Sequence, residues 1–437
     1  MKRIAFHTLG CKVNQYETEA MIEIFKNSGY EIVDFNDVAD VYVINTCTVT
    51  GRGDMKSRQE IRKAKRLNPK SVIAVVGCYS QVASKEVLQI PEVNIVAGTK
   101  NKGDLVNLVE RIKIDNETKL NAVEDISKDT SFEELKISAQ LGHTRAYLKI
   151  QDGCNQYCTY CIIPYARGPV RSRNPENILD EVKRLRDKGY KEIVLTGIHV
   201  ASYGKDLGNL NLLDIIKMVH DVDGIERIRM SSIEPTFLTE DFIKEVSKLP
   251  KFCRHYHVSL QSGSDNTLRR MGRRYTTSEY RDIIERIRKY INDVAITTDV
   301  MVGFPGETDE EFNETYEFLK EIEFSKMHVF KYSKRKGTKA AAYPKQVKNA
   351  IKEERSKLLI KLSEKNEAKF YKKFINKIMN VLFEQRVKDM DDYVEGLTDN
   401  YIRVAVKSDL SIKNKILPVK FNELKKDLVI GEIVEGI

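Results

Sequence analysis

Cys154, Cys158 and Cys161 raise the first chemical question, because a C-x3-C-x2-C run in Gly-Cys-Asn-Gln-Tyr-Cys-Thr-Tyr-Cys lets one loop carry three thiolates. Such a loop can wrap one face of an iron–sulfur cube, whereas an ordinary electron-transfer cluster takes four cysteines. With three ligands one iron stays open, as a catalytic zinc keeps a vacant position for its substrate. The competing reading is zinc held by these three and completed by a histidine or by Cys253, although zinc ribbons usually use paired C-x2-C knuckles. Cys11, Cys47 and Cys78 are far apart in sequence, yet each follows a short apolar run and each stands beside a Gly or Thr. Carboxyl ends of parallel strands are where α/β domains gather ligands. These three therefore read as a second three-thiolate set with an open iron, against the alternative of ordinary buried cysteines. Cys253, alone in Lys-Phe-Cys-Arg, reads as inert.

The elements that must position these residues follow from periodicity. Residues 3–9, 41–46, 72–76 and 93–97 read as strands, with helical patterns at 14–28, 55–67 and 103–112 between them, so an N-terminal parallel α/β domain is expected over 1–112. Residues 113–143 are polar and read as a linker or crossover. A second series has strands at 146–150, 192–196, 227–231, 256–260, 295–302 and 326–332, and helices at 175–188, 211–222, 240–249, 278–291 and 309–322. Six repeats are too few for an eight-unit barrel, so an open partial (βα)6 barrel with its chemistry at the strand ends is expected. A charged helix follows Pro344 with Ile351, Leu358, Leu359, Leu362 and Phe370 as its apolar stripe, closing a second domain at 144–374. Short alternating segments at 381–385, 401–407 and 416–421 make 375–437 a small all-β barrel.

Composition bounds the partners. Lys plus Arg outnumber Asp plus Glu by 73 to 64, for a net charge of +9, which favours a polyanionic partner without proving one. The first residues turn polar too early for a secretory signal, and no run approaches the roughly 18 apolar residues of a membrane span. A cytoplasmic protein with no membrane partner is expected, and its seven cysteines, an odd number, suit metal ligation better than disulfides.

The cysteine run and the six βα units resemble the radical-SAM superfamily over 145–332. That resemblance implies a [4Fe-4S] cluster at Cys154, Cys158 and Cys161 whose open iron binds S-adenosylmethionine (SAM) and cleaves it to a 5′-deoxyadenosyl radical. It implies that strand-end residues line the SAM pocket: Tyr160 near the adenine, Thr196 and Gly197 near the methionine, then Ser232, Glu234, Gln261, Ser262, Val302 and Gly303. The motifs Thr-Leu-Gly-Cys-Lys-Val-Asn-Gln-Tyr-Glu-Thr-Glu, Asn-Thr-Cys-Thr-Val-Thr, Val-Gly-Cys-Tyr-Ser-Gln, Ser-Leu-Gln-Ser-Gly-Ser-Asp and Asp-Val-Met-Val-Gly-Phe-Pro-Gly-Glu-Thr extend the resemblance to the methylthiotransferase family across the chain. By it, Cys11, Cys47 and Cys78 hold an auxiliary [4Fe-4S] cluster carrying the sulfur that is methylated and joined to carbon 2 of an adenine. The opening motif resembles the branch acting on threonylcarbamoyladenosine in tRNA; other branches act on isopentenyladenosine in tRNA or on an aspartate of a ribosomal protein. The end of the chain resembles a TRAM domain, an OB-like RNA-binding barrel, against the plainer reading of a packing module. Lys and Arg in 331–339 and 345–377 are expected at phosphates, and Arg273 and Arg274 near substrate or the SAM carboxylate. Partners implied are tRNA and a low-potential electron donor such as flavodoxin or ferredoxin, with the sulfur donor left open.

Overall fold

The computed structural model describes residues 2–114, 119–137 and 144–434. Parts of the expected linker, 115–118 and 138–143, and the last three residues of the C-terminal unit lie outside the described residues.

The N-terminal unit is a six-stranded sheet in the order Tyr30–Val33, Lys2–Thr8, Val41–Thr46, Val72–Gly77, Ile95–Ala97, Leu120–Ala122, with every pairing parallel. Val41–Thr46 and Val72–Gly77 are buried along their whole length, because helices cover both faces of a central parallel strand and leave no solvent side. Both edge strands differ from the sequence expectation. Tyr30–Val33 has only four residues, too few for a clear alternation. Leu120–Ala122 pairs with Ile95–Ala97, so part of the segment expected to be a linker belongs to this sheet. Farther along it, Leu135 and Ile137 pack on Tyr16 and Ala20.

The second unit is the open partial barrel. Six parallel strands, Arg145–Asp152, Glu192–Gly197, Arg227–Met230, His255–His257, Ala295–Val302 and Lys326–Lys331, run in sequence order around it. The middle of the wall is joined by the single bridges Ile228 to Phe252 and Ile233 to Val258. Its outer helices begin at marked caps: Asn174 accepts from the Glu176 amide ahead of Pro175, and capping boxes pair Thr276 with Glu279 and Thr308 with Glu311. The helix Lys12–Asn27 of the first unit packs against Arg145–Asp152, at the first strand of the open wall. The two units thus share one interior.

The long helix is Asn349–Lys372, and its stripe differs from expectation. Leu359, Leu362 and Phe370 are buried, but Ile351 and Leu358 are exposed. Lys352 and Arg355 face inward instead, Lys352 donating to the Tyr332 carbonyl at 3.1 Å and Arg355 pairing with Glu307 at 2.5 Å. The barrel surface met by that half of the helix is polar, so polar residues are what it buries.

Five strands, Ile378–Val387, Met390–Thr398, Arg403–Lys407, Leu428–Ile433 and Ile416–Lys425, close in that order into the C-terminal barrel. It seats on the amino ends of the larger barrel's strands through arginines: Arg145 pairs with Glu384 at 2.6 Å, Arg254 with Asp399 at 2.6 Å, and Arg227 donates to the carbonyls of Leu397 and Asn380. Among the described residues no helix is long and apolar enough to cross a membrane.

Candidate active site

The register of three strands brings Cys11, Cys47 and Cys78 together. Thr8 is level with Asn45, and Thr46 with Gly77, so the loops that follow leave the sheet side by side. Close approach dictates two glycines. A Cβ on Gly10, at φ +111°, would lie 2.9 Å from Cys47 Cβ and 3.2 Å from its Sγ; one on Gly77, at φ +97°, would lie 2.5 Å from Asn45 Oδ1. Asn14, one turn into the helix after Cys11, locks the loops by donating to the carbonyls of Leu9 at 2.8 Å and Thr46 at 3.0 Å.

Cys154, Cys158 and Cys161 occupy the loop after the first barrel strand. The Cys154 amide donates to the Gly168 carbonyl, the Thr159 amide to Met271 and the Cys161 amide to Cys158. Arg273 lies over this loop, with Nη1 3.4 Å from Cys158 Sγ and Nη2 2.8 Å from Glu234. The helix Ile163–Arg167 follows directly, and its last residue reaches the other trio: Arg167 Nε donates to Cys78 Sγ at 3.3 Å. Arg167 is fully buried, bonded also to Asn14 and Glu17. Glu17 in turn meets Lys149 at 2.8 Å and Lys102 at 3.4 Å. Burial alone would raise Glu17, but Arg167, Lys102 and Lys149 outweigh it and hold the carboxyl down to about 2.

Each trio suits a cluster with one open iron. Burial pushes the Cys78 and Cys154 thiols up to about 11 and Cys161 to about 12, so they are protonated until a metal displaces the proton. Neither trio has a fourth cysteine, since Cys253 is buried elsewhere, beside Arg229 and Glu192. Among the described residues no three His, Cys, Asp or Glu side chains converge to hold a single metal ion, as a zinc site requires. A cube of iron and sulfur takes its thiolates on separate irons, so it does not need three donors to converge on one ion.

Cys11 and all three of Cys154, Cys158 and Cys161 line one cavity of about 990 Å³. Of the residues expected around SAM, Tyr160, Thr196, Gly197, Ser232, Glu234 and Gln261 line it. Ser262, Val302 and Gly303 do not: the Ser262 hydroxyl is buried against Thr315, Val302 is in the core, and the Gly303 amide donates to Glu307. The expected arginine pair is also split. Arg273 is inside, while Arg274 is exposed in a smaller cleft with Asn155, Gln156 and Lys205. Of the basic runs, Lys331 pairs with Glu353, Arg335 with Asp54, and Lys352 and Arg355 turn inward; Lys334, Lys336 and Lys339 are exposed.

Sequence reasoning missed Lys12, Arg167, His255, His257 and Asp299. His257 sits 3.3 Å from Asp299, and His255 stacks on Tyr401 of the C-terminal barrel at 4.4 Å between centroids. The alternation of His255 and His257 in a strand was the one available signal that both face the interior. Arg167 carried none, since its surroundings come from packing between units, and Lys12 entered only as one residue of the opening motif.

The family model described as Radical SAM superfamily matches residues 148–319, and the one described as Uncharacterized protein family UPF0004 matches 3–98. The chain is 46% identical over 423 residues to the threonylcarbamoyladenosine tRNA methylthiotransferase MtaB of Bacillus subtilis (strain 168), covering 96% of this chain and 94% of the relative. It is 42% identical to the MtaB of Aquifex aeolicus (strain VF5), covering 92% and 96%. It is 36% identical to the tRNA-2-methylthio-N(6)-dimethylallyladenosine synthase of Clostridium novyi (strain NT), covering 99% and 97%. Among solved structures, the radical S-adenosylmethionine methyltransferase TsrM from Kitasatospora setae, with cobalamin and a [4Fe-4S] cluster bound, superposes with a TM-score of 0.57 at 14% identity. That match covers 78% of this chain and 74% of TsrM, and establishes likeness of fold.

Proposed function

From the premise that the chain belongs to the radical-SAM methylthiotransferase family, we propose that it converts threonylcarbamoyladenosine next to the anticodon of tRNA to its 2-methylthio derivative, using two [4Fe-4S] clusters. The observation that carries this reading is that Cys11 of one trio and all of the other open on the same cavity. Sulfur delivery and C–H activation must meet at one carbon, and a shared interior allows it. The choice of nucleoside is supported by the greater identity to the threonylcarbamoyladenosine enzymes, 46% and 42%, than to the dimethylallyl enzyme, 36%.

A reduced cluster with an open iron supplies one-electron cleavage of SAM, the chemistry that an inert aromatic C–H bond demands. The remaining work belongs to the chain. Cys154, Cys158 and Cys161 hold that cluster; Cys11, Cys47 and Cys78 hold the second. Tyr160, Thr196, Gly197, Ser232, Glu234 and Gln261 form the SAM pocket wall, and the Arg273–Glu234 pair fixes the loop beside Cys158. With the target base seated, the cavity would exclude water from a reactive intermediate. The C-terminal barrel, read as a TRAM module, holds the RNA while the target base is unstacked into the cavity. A low-potential donor such as flavodoxin or ferredoxin would supply the electron, and a tRNA substrate supports a cytoplasmic location.

The test is nucleoside mass spectrometry after incubating the anaerobically reconstituted protein with SAM, sulfide, reductant and tRNAs carrying threonylcarbamoyl- or isopentenyl-adenosine. A methylthio mass gain on the threonylcarbamoyl nucleoside alone is expected. Gain on the isopentenyl nucleoside alone would move the substrate, and gain on neither, with intact clusters, would make a ribosomal-protein aspartate the next substrate to examine.

A further inference from the structure

Four cationic side chains line the cavity: Lys12, Arg273, Lys326 and Arg403. Three are matched from within the protein, Arg273 by Glu234 at 2.8 Å, Lys326 by Glu367 at 2.7 Å and Arg403 by Glu395 at 2.6 Å. The other carboxylates of the lining are committed as well: Asp299 faces His257 at 3.3 Å, Glu384 faces Arg145 at 2.6 Å and Asp427 faces Arg403 at 3.2 Å. Lys12 is the exception. Among the described residues its ammonium has no ion pair and no hydrogen-bonding side chain, and Nζ rests 5.7 Å from the centre of the Tyr147 ring.

An ammonium half-buried in a cavity wall, with no counter-charge among the described residues, gains from an anionic ligand. Lys12 is also well placed to receive one. It opens the helix Lys12–Asn27, directly after Cys11, and Asn14 and Glu17 anchor that helix through Thr46 and Arg167. The backbone that carries the charge is therefore held fixed beside the trio from which sulfur would be delivered.

We propose that Lys12 forms a binding subsite for a carboxylate on the N6 substituent of the target adenine, and thereby sets the preference for that nucleoside. The proposal rests on the threonylcarbamoyladenosine reading above and deepens it. The threonyl group supplies the carboxylate, and an ammonium–carboxylate hydrogen bond adds affinity. An apolar N6 substituent would instead cover the ammonium and leave it unpaired, which selects against that nucleoside as well as for the charged one.

The test uses the reconstituted holoenzyme as wild type, Lys12→Gln and Lys12→Arg. Its substrates are anticodon stem-loop RNAs that carry threonylcarbamoyladenosine, the methyl ester of its threonyl carboxylate, or isopentenyladenosine. Both Kd and kcat/KM are read for each. Wild type is expected to bind the free carboxylate roughly ten- to a hundredfold more tightly than the ester. Lys12→Gln should erase that difference through loss on the carboxylate RNA alone, and Lys12→Arg should restore most of it. If Lys12→Gln weakens the acid and ester RNAs equally, the ammonium serves a backbone phosphate and the proposal falls. It falls equally if Lys12→Gln lowers the iron content or alters the cluster spectrum, because the charge then serves the cluster beside Cys11. A wild type that modifies the isopentenyl RNA and leaves the threonylcarbamoyl RNA untouched would overturn the substrate reading itself, a failure visible before any variant is made.

Discussion

Cys154, Cys158 and Cys161 reach the cavity from a single loop, whereas Cys11, Cys47 and Cys78 are gathered from three loops held level by the pairing of three parallel strands, and of these Cys11 lines the cavity. The first set is organised by local backbone geometry: its loop is pinned by amide bonds to Gly168 and Met271 and shielded by Arg273. The second is organised by tertiary structure, through sheet register, two glycines with no room for a Cβ, and a buried arginine donated by the other unit. Damage to the N-terminal sheet should therefore empty one site and spare the other.

The strongest way to break that contrast is at the ligands. Cys158→Ala should abolish SAM cleavage altogether, while Cys47→Ala should keep cleavage and lose only methylthio transfer. Each variant should retain about half of the iron, by the three-ligand logic of such clusters. Chromatographic assay of SAM cleavage products, with iron analysis on the same samples, checks this. Loss of cleavage in both variants, with folding intact, would show that the two sites do not work separately.

Arg167 gives the next largest effect. Arg167→Met removes a buried guanidinium from Glu17 and Asp152, and leaving buried carboxylates short of a partner costs about 3–5 kcal/mol. Denaturant melts of the anaerobic protein should show the loss, and the iron bound by Cys11, Cys47 and Cys78 should fall with it. The same network sets an acid limit. Glu17 is held down to about 2, below its unfolded value near 4.5, so its stabilising contribution is complete above pH 4.5 and is lost as pH falls from there toward 2. In Arg167→Met the loss should still begin near pH 4.5 but be smaller and be complete at a higher pH, which a pH series of the same melts would detect.

What the sequence revealed follows the same division. Spacing alone identified the contiguous cysteine trio, because its geometry is local. The dispersed trio was legible only through the strands that precede it; those before Cys47 and Cys78 are buried along their whole length and so leave a strong pattern. Tyr30–Val33 and Leu120–Ala122 were missed because short edge strands leave little periodicity, and Ile351 and Leu358 were misjudged because the stripe was read from apolarity when Lys352 and Arg355 are the inward residues. Arg167 and Lys12 were illegible for a different reason. One derives its role from contacts to Asn14, Glu17 and Cys78 across the boundary between units, and the other from the absence of such contacts among the described residues.

The smallest effects provide the sharpest comparison, because two substitutions of similar cost should differ in what they empty. Gly77→Ala puts a Cβ 2.5 Å from Asn45 Oδ1 at φ +97°, a strain of about 1–3 kcal/mol located directly beside Cys78. Thr276→Ala removes a capping box from the barrel helix Thr277–Tyr290, for about 1 kcal/mol, far from any cysteine loop in sequence. If cluster loading follows local support, Gly77→Ala should lose the iron of the N-terminal trio and keep SAM cleavage, and Thr276→Ala should keep both clusters while melting earlier. Equal iron loss in the two variants would mean that loading follows global stability instead, and the contrast between a locally built and a tertiary site would then be one of geometry without functional consequence.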